Sequence, residues 1–71
     1  MDKATARRVS ETAQEALGQL DLSIQAVQAT SAQPEFEAFR AAVGKIMGAI
    51  VVDVLQPLYA EHPDIVPSEL R

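Results

Sequence analysis

The sequence predicts an all-α protein, an antiparallel two-helix hairpin that dimerises into a four-helix bundle. Two observations predict the hairpin: apolar residues recur at helical spacing on both sides of one short break, and the two helical segments have similar lengths. A third observation predicts the dimer, because apolar residues cover more of the second helix than one neighbour can bury. A higher oligomer or a different protein partner would cover the same surface.

The first helix is predicted from about residue 3 to residue 30. Residues 4–29 contain no proline, and their apolar or small residues alternate by three and four, which is a heptad-like seam. The seam comprises Ala6, Ser10, Ala13, Leu17, Leu20, Ile24, Val27 and Ser31. Asp2 is the predicted N-cap, because its carboxylate can accept hydrogen bonds from the free N–H groups of the first turn.

The second helix is predicted from about residue 34 to residue 60. Pro34 pushes Gln33 out of the helical region and is itself suited to the first helical position. Pro57 lacks a backbone donor and clashes with the carbonyl of Asp53, so the helix should kink near that point. We expect one further turn after Pro57, and termination at Gln56 is the competing prediction.

The second helix supplies the predicted interface. The residues expected to line it are Phe39, Val43, Gly44, Ile46, Met47, Gly48, Ile50, Val51, Val54, Leu55 and Leu58. Gly18, Gly44 and Gly48 all lie inside predicted helices, where each glycine costs about 1 kcal/mol relative to alanine. Because the hairpin places Gly18 level with the other two, we expect one close helix crossing to use all three.

Asp53 interrupts an apolar run and has two interpretations. It lies level with residue 11, so Arg7 and Arg8 are about one turn away across the hairpin or across a dimer. One interpretation is an ion pair with these arginines, which would set the register of the packed helices. The other is a solvent-exposed aspartate on a narrow polar strip.

The C-terminal tail, residues 62–71, is expected to be extended because it contains Pro63 and Pro67. Its apolar residues either fold back over the open end of the bundle or form a short peptide for a partner. The residues expected to make these tail or partner contacts are Tyr59, His62, Ile65, Val66 and Leu70. We interpret His62 as a residue of the helix C-terminus, favoured there by the helix dipole, and not as a metal ligand.

The residue inventory predicts that the chain is not an enzyme and has no cofactor or metal. There is no cysteine, and the single histidine has no second histidine to complete a metal or acid–base site. The alternative is a ligand-binding or metal-binding helical bundle. Such bundles use repeated Glu-x-x-His pairs, which this sequence lacks.

Charge and hydropathy bear on partners and location. A net charge of −4 argues against nucleic acid, whose phosphates need a basic face, although Arg7 and Arg8 leave a minor DNA-associated regulator as an alternative. The apolar run of residues 46–52 is too short to span a membrane, and the first residues lack a hydrophobic leader, so we expect a cytoplasmic protein. The expected function is protein–protein interaction by a homodimer, in an assembly, adaptor or inhibitor role, with an unidentified protein as a further partner.

Overall fold

The computed structural model describes residues 1–67, and this range is helical with no strand. Its elements are α1 (Lys3–Thr30), α2 (Gln33–Ala49), a π-helix (Ile50–Leu55), α3 (Gln56–Glu61) and a 3₁₀ turn (Pro63–Ile65). The last three helical segments before His62 are continuous, and we call residues 33–61 the second arm. The second arm packs along α1 as a hairpin of 45 × 20 × 16 Å, which is two helices wide and one helix thick.

The ends of α1 follow from local hydrogen bonds. The side chain of Asp2 accepts a hydrogen bond from the backbone N–H of Thr5 at 2.7 Å, which confirms the predicted cap. At the other end, the N–H of Ser31 donates to the carbonyl of Val27, and the chain turns in two residues. The second arm then begins at Gln33 with Pro34 in its first turn, one residue before the predicted start.

A π-helix accommodates Pro57. The N–H of Gln56 donates to the carbonyl of Val51, five residues earlier, so the turn just before the proline is wider than an α-helical turn. The wider turn changes the position of the carbonyl that a proline would otherwise meet four residues back. The helix continues to Glu61, so the competing prediction of termination at Gln56 is wrong.

The π-helix also shifts the residues that meet α1. Val43 and Ile50 are seven residues apart on the inner side of the second arm, and an α-helix would continue this spacing through Val54. Instead, Leu55 and Leu58 are buried at 5% exposure each, whereas Val54 is 42% exposed. One extra residue per turn therefore moves the buried seam by one position.

The core lies at the end of the hairpin that holds both termini. A buried cluster comprises Ala6, Ala13, Leu55, Leu58 and Ile65, with Val9, Leu17, Ile50 and Tyr59 packed against it. Toward the connecting loop, only Phe36 and Val43 are buried among residues 14–49. The closest packing is thus between the start of α1 and the end of the second arm.

The tail is folded back at this end, so the prediction of an extended segment is wrong for residues 63–65. The N–H of Ile65 donates to the carbonyl of His62 at 3.2 Å, which closes the 3₁₀ turn. Burial of Ile65 in the core provides the physical reason for the turn. Leu70 and the rest of residues 68–71 lie outside the described part of the chain.

Candidate interaction surface

An apolar groove runs between α1 and the second arm on one side of the hairpin. It has a volume of about 490 Å³ and is lined by Thr5, Arg8, Val9, Thr12, Ala13, Ala16, Ile50 and Val54. Seven of these eight residues present methyl groups, and Arg8 is the one charged residue. Ile46 lies one helical turn before Ile50 on the same side of the second arm. We call the groove lining together with Ile46 the groove face.

Large apolar side chains remain exposed on the second arm. Ile46 is 54% exposed and Val52 is 56% exposed, and Val51 and Val54 are also exposed. They all lie within residues 46–54, but only Val54 lines the groove, whereas Val52 does not. These exposed side chains make the second arm the candidate interaction surface of the chain.

The structure divides the predicted interface residues into three groups. Val43, Leu55 and Leu58 are buried inside the hairpin, and Phe39, Met47 and Ile50 are half-buried. The third group is exposed and comprises Gly44, Ile46, Gly48, Val51 and Val54. Only this third group, with the outer part of the half-buried residues, remains available to another molecule.

The predicted glycine crossing inside the hairpin is wrong. A Cβ added at Gly18, Gly44 or Gly48 would meet no atom within 4 Å. All three glycines are exposed, so they do not bring α1 and α2 close together. The two helices instead approach through buried side chains such as Phe36 and Val43. Close contact at Gly44 and Gly48 with another chain stays a prediction.

The ion pair between Asp53 and Arg7 or Arg8 does not form within the folded chain. All three residues are exposed, and over residues 1–67 the salt bridge is the one between Lys3 and Asp64. The exposed-aspartate interpretation therefore describes the single hairpin. A pair between two chains stays a prediction.

A polar network on the other side of α1 was not predicted from the sequence. The hydroxyls of Ser10 and Tyr59 are 2.7 Å apart, and the Gln14 side-chain amide donates to both, at 2.9 and 3.2 Å. Ser10 is 3% exposed, so this network satisfies its buried hydroxyl. The hydroxyl of Tyr59 is therefore hydrogen-bonded to α1 and needs no further partner from the tail or from another protein. The signal in the sequence was Ser10, a polar residue flanked in the seam by Ala6 and Ala13.

Charged groups join the two termini of the hairpin. The carboxylate of Asp64 pairs with the ammonium of Lys3, and this contact lowers the pKa of Asp64. The pKa of Asp2 is lowered mainly by the hydrogen bond that it accepts from the backbone of Thr5. Both effects favour the ionised carboxylates in the folded chain.

His62 connects α3 to the 3₁₀ turn. Its backbone N–H donates to the carbonyl of Leu58 and ends α3, while its Nε2 atom is buried without a hydrogen-bond partner in residues 1–67. Val66, four residues later, is half-buried. The predicted tail residues that the structure describes thus contact the hairpin itself.

The described residues offer no cluster of three His, Cys, Asp or Glu side chains that could hold a metal ion. No helix within residues 1–67 is both long and apolar enough to cross a membrane. Comparison with protein-family models, with curated proteins and with solved structures gave no match to this chain. The groove face is therefore interpreted from its own geometry.

Proposed function

We propose that this chain acts through protein–protein interaction and that its working form is a homodimer, a four-helix bundle of two hairpins. The single observation that carries the proposal is the groove face, which a lone hairpin leaves open to water. Because a hairpin is only one helix thick, burying this face requires another layer of helices.

The size of the surface supports a second hairpin as that layer. One broad side of the molecule spans 45 × 20 Å, so a second hairpin of the same size can lie along its whole length. Stable dimers of ordinary size bury about 800 Å² on each partner. A chain of 71 residues without disulfides also gains stability from oligomerisation, since its own core is small.

The dimer would act as an assembly element, adaptor or inhibitor through its outer surface. With the groove face covered, the dimer carries the net charge of −4 from each chain, together with exposed apolar side chains such as Leu22 and Val52. Negative charge speeds encounter with a basic protein through electrostatic steering. A basic protein is accordingly the further partner that the proposal favours.

The proposal is tested by thermal melting at several protein concentrations. A dimer that folds as a unit melts at a higher temperature as concentration rises, because association is coupled to folding. Melting recorded by circular dichroism from about 1 to 100 µM should show this increase. A melting temperature that does not change with concentration would contradict the proposed dimer.

A second candidate function is binding of an apolar small molecule, and the groove volume favours it. At about 490 Å³ the groove falls within the range of about 300–1,000 Å³ that is typical of ligand sites. An apolar ligand in the groove would raise the melting temperature while the protein remained a monomer. The concentration series therefore separates the two candidates.

A further inference from the structure

The exposed apolar side chains are concentrated at one level of the hairpin. Residues 46–54 of the second arm are level with the α1 residues that line the groove. Between residue 17 and residue 45, the exposed large apolar side chain is Leu22, whereas Phe36 and Val43 are buried. The groove and most of the exposed large apolar side chains thus lie in the half of the hairpin that holds the termini.

The two walls of the groove differ in size. The α1 wall consists mainly of short side chains, among them Thr12, Ala13 and Ala16, whereas the opposite wall is formed by Ile50 and Val54. Close packing is achieved when large side chains enter spaces left by small ones. The best cover for the α1 wall is therefore a helix that presents large β-branched residues at the same level.

The charges at the rim are also complementary. Arg8 lies on the α1 wall, and Asp53 directly precedes Val54 on the other. Both side chains are exposed, and neither forms an ion pair within residues 1–67. Residues 1–10 carry three basic residues against Asp2, whereas residues 50–67 contain no lysine or arginine. The start of α1 and the end of the second arm therefore attract each other between chains.

We propose that a second copy of this chain covers the groove with its loop at the same end as the first, around a two-fold axis parallel to the helices. This inference rests on the proposed dimer. Each α1 then lies beside the partner's second arm, so that the partner's Ile50 and Val54 pack on the small side chains of α1. Symmetry forms the pair between Arg8 and the partner's Asp53 twice.

The reverse arrangement, with the loops at opposite ends, covers this surface less well. Full overlap would place the groove against the loop half of the partner, where the matching side chains are already buried. A staggered overlap would cover the groove but use only about half of the 45 Å length. The same-end arrangement covers both grooves and also lets the two hairpins overlap along their whole length.

Distances between the two loops test this arrangement directly. The chain has no cysteine, so Ala32→Cys places one spin label on the exposed loop of each copy. Neighbouring helices lie about 8–10 Å apart. If the two loops are at the same end, pulsed electron paramagnetic resonance should therefore give a distance below about 30 Å between the two spin labels. Distances of about 45 Å or more in a proven dimer would overturn the arrangement and leave the dimer standing. A labelled protein that sediments as a monomer would contradict both the arrangement and the proposed dimer.

Charge reversal tests the ion pair separately. Each dimer contains the pair twice, and a pair at a rim contributes up to about 1 kcal/mol, so Arg8→Glu and Asp53→Arg should each weaken dimerisation by up to about 30-fold. The double variant should restore dimerisation. Arg7→Glu is the matched control, because Arg7 is exposed on α1 but does not line the groove, and it should change the dissociation constant less than twofold. If the double variant loses as much dimerisation affinity as the two single variants added together, Arg8 does not contact the partner's Asp53.

Discussion

The two sides of α1 differ in how completely one chain satisfies them. On one side, Gln14 and Ser10 complete a hydrogen-bonded network with Tyr59. On the other side, Thr12 and Ala16 face an open apolar groove. The polar side of α1 is thus satisfied within its own chain, whereas the groove side stays open to water in a single hairpin, and we propose that a second copy covers it.

The helical period explains this difference. Gln14 lies two residues from both Thr12 and Ala16, which is about 200° around the helix. A side that carries donors and acceptors can form hydrogen bonds with water or within the chain. A side of methyl groups cannot, so it gains stability only by being covered.

The largest expected effect comes from placing a charge in the groove. Val54→Lys would bury an unpaired ammonium if the groove face is a dimer interface, so dimerisation should weaken at least about 100-fold. Sedimentation equilibrium measures the change in dissociation constant. Val52→Lys is the matched control, because Val52 is 56% exposed and does not line the groove. If the two variants weaken dimerisation equally, the groove face is not the dimer interface.

The next largest effect concerns the core that both sides share. Ile65→Ala removes a buried side chain from the cluster around Leu55 and Leu58, and about 2 kcal/mol of unfolding free energy should be lost. Urea denaturation followed by circular dichroism measures this loss. Val66→Ala, at a half-buried neighbour, should cost less. No loss for Ile65→Ala would mean that the tail is not part of the core.

A smaller effect is expected on the network side. Tyr59→Phe removes the hydroxyl that Ser10 and Gln14 share and should cost about 1 kcal/mol of unfolding free energy. The dissociation constant of the dimer should not change, because the network lies away from the groove. The double variant with Ser10→Ala should cost less than the two single variants added together. Strict additivity would show that the two hydroxyls are not coupled.

The smallest effect is acid sensitivity of the contact between the termini. The pKa of Asp64 is lowered by Lys3, so the contact contributes stability above the ordinary aspartate value of 3.8 and loses it as pH falls through the lowered pKa. The melting temperature should therefore fall as pH decreases below about 4. Asp64→Asn should reduce this dependence, whereas Glu15→Gln, at an exposed carboxylate without a salt bridge in residues 1–67, should not.

Local sequence signals gave most of the hairpin. The three-and-four spacing along α1, the cap at Asp2 and the break before Pro34 depend on neighbours in sequence. The first helix was predicted over about residues 3–30 and is Lys3–Thr30 in the structure. The second was predicted over about residues 34–60, and the second arm covers residues 33–61. The exposed surface on the second arm was also visible as an apolar stripe too wide for one partner.

Other features depend on contacts that the pattern does not contain. The π-helix before Pro57 decides that Leu55 and Leu58, and not Val54, enter the core, whereas a helical wheel assumes a constant period. The bond between Ser10 and Tyr59 joins residues 49 positions apart. The glycine crossing failed because spacing in sequence does not show which side of a helix meets its neighbour.

Sedimentation equilibrium of the unmodified protein tests the central claim most directly. The groove face should be covered by a second copy, so the measured mass should approach twice 7.6 kDa as concentration rises. A mass that stays at 7.6 kDa up to about 100 µM, with helical circular dichroism throughout, would contradict the dimer, because any dimerisation would then contribute less than about 5.5 kcal/mol.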